Sequence, residues 1–265
     1  MKSYLSIAAL LFVSLVSCKK NDVPENNNPG RLSIEFDNIV DGQNLFLNTV
    51  TYTNSSGENY KVTTLKYYIS NIKVTNTAGV EVVVPQDSSY FLIDESDEAS
   101  HSAEVTIPKG EYRQVAFTIG VDSLRNTMDI ARRTGVLDPA AGANGMYWSW
   151  NSGYIFFKIE GVSPASAEAG NVFMYHIGGF GGYSSPTINN IREVKLDLTT
   201  GGIAKVPAGG ESNIHLMVDI AKLFNGSTQL SIAAKPVVMF DDFSTNISNN
   251  YSTIFRHDHT EIGRA

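Results

Sequence analysis

The chain has 265 residues, a formal net charge of −7 and one cysteine. No basic cluster offsets the acidic balance, which argues against a nucleic-acid partner, and a lone cysteine leaves no internal disulfide to staple a fold. Beyond the N-terminal segments, about 235 residues remain, enough for one large β domain with a sizeable core.

The N-terminus, MKSYLSIAALLFVSLVSCKKND, places Lys2 ahead of an apolar run from Leu5 to Val16. That run is too short to span a bilayer as a permanent helix and predicts a cleaved secretory signal over residues 1–17. Its ending, Leu15-Val16-Ser17-Cys18, resembles a bacterial lipobox, in which the cysteine is acylated and becomes the first mature residue. Cys18 is thus the expected lipidation site, and the protein is expected in the cell envelope, lipid-anchored on a periplasmic or outer-membrane face. Residues 18–30, rich in Asn and Pro and without apolar periodicity, suit a flexible tether. Residues 31–265 then form one domain, since neither an internal repeat nor a second polar linker interrupts them.

From Leu32 onward the chain alternates apolar and polar residues with period two, as in Leu32-Ile34-Phe36, Val62 through Val74, Tyr112 to Ile119 and Ile155-Phe157-Ile159. The same pattern returns in Val172 to Ile177, Ile191 to Leu198 and Ile214 to Val218. Turn residues such as Asp41-Gly42, Ala78-Gly79 and Gly201-Gly202 separate the runs. Many short strands so punctuated predict an all-β fold, a single antiparallel β-sandwich, and not alternating βα units. Helix is expected only in a short piece within Ser123 to Thr134, a turn at Ala221 to Phe224, and a short C-terminal helix over Asp242 to Phe255. There Ile247, Tyr251, Ile254 and Phe255 make one apolar stripe.

The usual catalytic motifs are missing, so no enzymatic activity is expected. GGFGG at Gly178 to Gly182 lacks phosphate-loop spacing and suits a turn that lets backbone approach another group. In NVFMYHIG, Met174 and His176 fall on one face of a strand. A thioether and an imidazole together suit Cu(I), although a core methionine and a hydrogen-bonded histidine are the commoner outcome of such spacing. His257 and His259 flank Asp258 near the end of the chain. An extended chain would turn both imidazoles the same way, whereas a solvated tail would give them no role. Trp148 and Trp150, the only tryptophans, share one face with Met146 if GMYWSW is extended. An intact indole offers only an N–H donor, so composition alone favours an aromatic core corner there.

Taken together, GMYWSWNSGYIFFKIEG, FMYHIGG, LKYYISNIKV, GEYRQVAFTIGVD and NYSTIFRHDH stand in an order and spacing that resemble the MbnP-like copper-binding family, over roughly Arg31 to His259. The resemblance implies an extracytoplasmic copper binder for copper capture or handover. In related proteins a tryptophan is oxidised to kynurenine by a MauG-like dihaem peroxidase partner. Opening the indole yields a ketone and an aryl amine with lone pairs that the indole N–H lacks. By position, Trp148 or Trp150 would be the kynurenine precursor and His176 the imidazole ligand, with Met174 beside it and His257 or His259 as weaker candidates. A rival reading is a surface carbohydrate-binding or adhesin-like module in which Trp148 and Trp150 stack on sugar rings. It requires both indoles on an open, shallow face, whereas the copper reading requires one beside His176.

Overall fold

The computed structural model describes residues 27–140, 142–150 and 153–263; the expected signal segment and the lipidation site Cys18 lie outside them. The principal strands are β1 (Gly30–Val40), β2 (Asn59–Asn76), β3 (Tyr90–Asp94), β4 (Ser102–Ile107), β5 (Gly110–Ile119), β6 (Tyr147–Trp148), β7 (Gly153–Val162), β8 (Val172–Gly178), β9 (Arg192–Asp197), β10 (Glu211–Asp219) and β11 (Phe255–Ile262). Three short helices accompany them: α1 (Ser123–Thr127), α2 (Ala221–Phe224) and α3 (Ser244–Tyr251).

Two sheets face one another. The smaller runs β11-β10-β1, with β4 on the other edge of β1, and the larger runs β9-β5-β2-β7-β8, with β3 paired to β2 and β6 to β7. Period-two alternation explains the sandwich: Leu32, Ile34 and Phe36 of β1 and Ile214, Leu216 and Val218 of β10 point inward. They meet Val115, Phe117, Phe157, Ile159, Phe173, Tyr175 and Ile177 of the larger sheet in one buried core. The expected all-β sandwich with a short C-terminal helix is therefore present. Its pairing is mostly antiparallel, but β1 and β10 run parallel in register, Ile34 opposite Ile214, so the smaller sheet is mixed.

α1 is the short piece expected within Ser123 to Thr134, α2 coincides with the expected turn, and only α3 is shorter than its pattern. α1 is capped by Asp122, whose carboxylate accepts from the Arg125 N–H at 3.0 Å, and it stops at Thr127. The C-terminal stripe is buried as expected, yet its last member, Phe255, already begins β11. The tail carrying His257 and His259 is thus a paired strand against β10 and not a solvated end.

A second buried cluster lies on the outer face of the larger sheet. Consecutive residues of β2 and β7 divide between the two clusters: Tyr67 and Phe157 join the sandwich core, whereas Tyr68 and Phe156 pack outside it with Val121, Leu137, Met146, Trp148 and Tyr154. The stretch from Val121 to Trp148 folds over the sheet and is tied down by buried tyrosine hydroxyls. Tyr68 donates to the Val136 carbonyl at 2.8 Å and Tyr154 to that of Leu137 at 2.5 Å. Among the described residues, no helix is long and apolar enough to cross a membrane.

Candidate metal centre at the tryptophan corner

Because Phe173, Tyr175 and Ile177 face the sandwich core, strand alternation sends Met174, His176 and Gly178 to the outer face, the face covered by the Val121 to Trp148 excursion. Trp148, paired opposite Gly153 at the start of β7, is seated there. A side chain at Gly178 would meet the Trp148 ring at 2.7 Å, so the indole lies directly over this glycine, two positions along the strand from His176. The glycine of H-I-G-G is required for that close approach.

The two tryptophans have different environments. Trp148 is 5% exposed, whereas Trp150 is 64% exposed and leans on Trp148 with ring centroids 5.4 Å apart. Met146 is buried in the same cluster as Trp148. The pair is therefore one buried indole with one displayed indole against it, and only Trp150 is open to a sugar ring.

His176 is oriented by a residue that sequence reasoning passed over. Its Nε2–H donates to Glu160 Oε1 at 2.7 Å across the β7–β8 ladder, where Lys158 stands opposite His176 and Glu160 opposite Met174. The Lys158 ammonium is 3.3 Å from the same carboxylate. The His176 hydrogen bond, outweighing the opposing effect of burial, and the Lys158 charge hold Glu160 far down, at about 2. Glu160 is thus a fixed anion whose charge is already balanced; it engages Nε2 of His176, and Nδ1 is the ring nitrogen on the other side. Carboxylates that hold metal-bound imidazoles in this way recur in metal sites. The only hint of Glu160 in the sequence is its outward position in FFKIEG; its pairing depends on a register that one strand cannot reveal.

The back of the corner is held by α3. Buried Asn190 donates to the Gly178 carbonyl at 2.7 Å and to Ser244 Oγ at 2.8 Å, and the Tyr251 hydroxyl donates to the Asn190 carbonyl. The C-terminal helix therefore braces the strand end on which Trp148 rests.

The terminal histidines do not join this corner. They lie on the smaller sheet, and they do not face the same way, because the β10–β11 register slips between Leu216–His257 and His215–His259. Asp258 is the extra, bulged residue, and a bulge reverses the alternation. His257 turns against Gly201 and bonds Thr260 Oγ1 at 2.9 Å, with burial pushing its pKa down. His259 stacks beside His215 with ring centroids 4.9 Å apart, and Asp258 joins them. In the sequence His215 simply alternates with Ile214 and Leu216 on the polar side of a strand, because its neighbours come from the other end of the chain.

An outward Met/His pair on the strand whose glycine seats a buried indole, in a mixed β-sandwich whose second sheet carries a His/Asp group, defines a β protein with potential donors for a metal ion. A family model described as MbnP matches residues 29–240, and the chain belongs to the MbnP family. The solved structure of MbnP from Methylosinus trichosporium is similar with a TM-score of 0.56 at 17% identity, covering 81% of this chain and 82% of that one; at that identity the likeness concerns the fold. No curated protein matches the sequence. Membership connects the chain to methanobactin-associated periplasmic proteins and to a metal-related role.

Proposed function

We propose that this protein binds one copper ion at the Trp148 corner and serves in copper capture or handover at the cell envelope, lipid-anchored through Cys18, without turnover of its own. The observation that carries the reading is the seating of Trp148 over Gly178 on the face that bears Met174 and His176. A thioether and an imidazole there are soft and borderline donors suited to Cu(I). Glu160 would orient the imidazole from behind, and its pairing with Lys158 makes it a supporting residue rather than a ligand.

An intact Trp148 supplies no lone pair to a metal. Oxidation by a MauG-like dihaem partner, with two equivalents of peroxide reduced to water, would cleave the indole C2–C3 bond and leave one oxygen atom on each carbon. Hydrolysis of the resulting N-formyl group by water then releases C2 as formate and leaves kynurenine, with a ketone and an aryl amine. Trp148 is the residue whose product would lie beside His176, while the exposed Trp150 in contact with it offers the partner an accessible ring. The carbohydrate reading has less support, because it needs both indoles on open surface.

The test is Cu(I) titration of the full chain with intact-mass measurement. One equivalent should bind, His176→Ala and Met174→Ala should each weaken it, and coexpression with a dihaem partner should give the mass of a single kynurenine. Protein that binds no copper at micromolar concentration would sink the proposal; binding without the mass change would remove only the modification.

A further inference from the structure

The outer face of the smaller sheet carries a second constellation, separated from the tryptophan corner by the whole sandwich core. Three adjacent strands supply it: Asp37 from β1, His215 from β10, and Asp258 with His259 from β11. The bulge at Asp258 is what lets consecutive residues of one strand converge on His215.

The distances fit coordination. His215 Nδ1 lies 3.5 Å and His259 Nδ1 2.9 Å from the same oxygen, Asp258 Oδ2. One nitrogen of each ring and a carboxylate oxygen all fall within 4.8 Å of one another. A tetrahedral ion with bonds of about 2.0–2.1 Å holds its ligands roughly 3.3 Å apart, so two of the three edges are already near that value.

Two further observations point to a ligand. His215 Nδ1 is buried and makes no hydrogen bond, a costly state that a bound cation would relieve. Behind the ring, the Asp37 carboxylate stands 3.7 Å from His215 Nε2, a few tenths of an ångström outside the hydrogen bond by which carboxylates orient metal-bound imidazoles. Arg256 pairs with the other Asp258 oxygen, Oδ1, at 3.1 Å and leaves Oδ2 to the histidines. The neighbouring thioether of Met217 accepts from Arg256 at 3.0 Å, so the available donors are two nitrogens and one oxygen. Such a set selects a borderline divalent ion over Cu(I).

We propose that His215, His259 and Asp258 form a second metal site, independent of the copper reading, which binds a divalent ion of the Zn2+ or Cu2+ type, with Asp37 orienting His215. The half-exposed side of His259 leaves the fourth position to water or to a donor from a partner.

The experiment is equilibrium dialysis of the full chain against Zn2+ in a His176→Ala background, which removes the imidazole of the tryptophan corner. One equivalent should remain bound, and adding His259→Ala or Asp258→Asn should weaken it by about tenfold or more. Substituted Co2+ should show visible d–d bands that the same changes abolish. His259 is a surface residue, and an unchanged melting temperature of the metal-free variant separates ligand loss from unfolding. A His176→Ala chain that retains no Zn2+ at micromolar concentration would overturn the proposal, as would Zn2+ binding and Co2+ bands indifferent to both substitutions. Failure of the copper reading registers separately, as Cu(I) binding unaffected by His176→Ala.

Discussion

A methyl group at position 178 has no space to occupy. Its carbon would lie 2.3 Å from the Tyr154 carbonyl oxygen and 2.7 and 3.0 Å from Cζ3 and Cη2 of Trp148. The carbonyl belongs to the β7 ladder and cannot swing aside, so in Gly178→Ala either β8 shifts or Trp148 leaves its seat. Overpacking of this kind costs about 1–3 kcal/mol. Expelling the indole would also forfeit its contacts with Trp150 and with Phe240, whose ring centroid is 6.2 Å away. For a domain of this size each kcal/mol lowers the Tm by about 2–4 °C, so a fall of about 2–12 °C is expected. The readout is built into the chain, which has two tryptophans. In a Trp150→Phe background Trp148 is the sole indole, and its emission should start blue-shifted, as suits a 5% exposed ring, and move to the red on Gly178→Ala. An unchanged Tm together with unmoved emission would refute the packing of Trp148 on Gly178.

Acid should weaken the corner through Glu160. Its folded pKa, about 2, lies below its ordinary value of 4.5, so its contribution to stability is complete above about pH 4.5 and is lost as pH falls toward 2. Glu160→Gln should remove that part of the slope in denaturant melts run from pH 6 downward, and an unaltered slope would count against the His176 contact. Asn250→Ala should be among the more damaging polar substitutions. The buried amide donates to the Leu223 and Thr228 carbonyls at 2.9 and 2.6 Å and accepts from the Thr228 N–H at 3.1 Å. Losing it strands buried partners at about 1–3 kcal/mol, to be measured by urea unfolding. Cys18→Ser should move the protein from the membrane fraction to the soluble one, which fractionation of expressing cells will show.

Alternation made the strands legible, because each inward residue of β1, β8 and β10 follows from period two alone. The same rule put Met174 and His176 on one face before any fold was known. The parallel pairing of β1 with β10 was not legible, since it joins residues some 180 positions apart and leaves no local signal. Glu160 carries no such signal for a similar reason: it meets His176 only through the β7–β8 register, which shifts at a bulge near Ile155. The bulge at Asp258 had the largest consequence. One extra residue turned the apparent His257/His259 pair into a His215/His259 pair, and an alternating pattern gives no sign of where a strand will slip. The glycines at Gly178 to Gly182 signal a close approach, but nothing in their local sequence identifies the group that makes it at Gly178, the indole of Trp148.

The proposed function puts copper beside His176 at the tryptophan corner. Anomalous diffraction at the copper edge, from crystals of the full chain loaded with one equivalent of Cu(I), tests it most directly. A single peak at coordination distance from His176 Nδ1, on the face shared with Met174 and Trp148, is the predicted result. A peak confined to His215 and His259, or no peak at all, would contradict it.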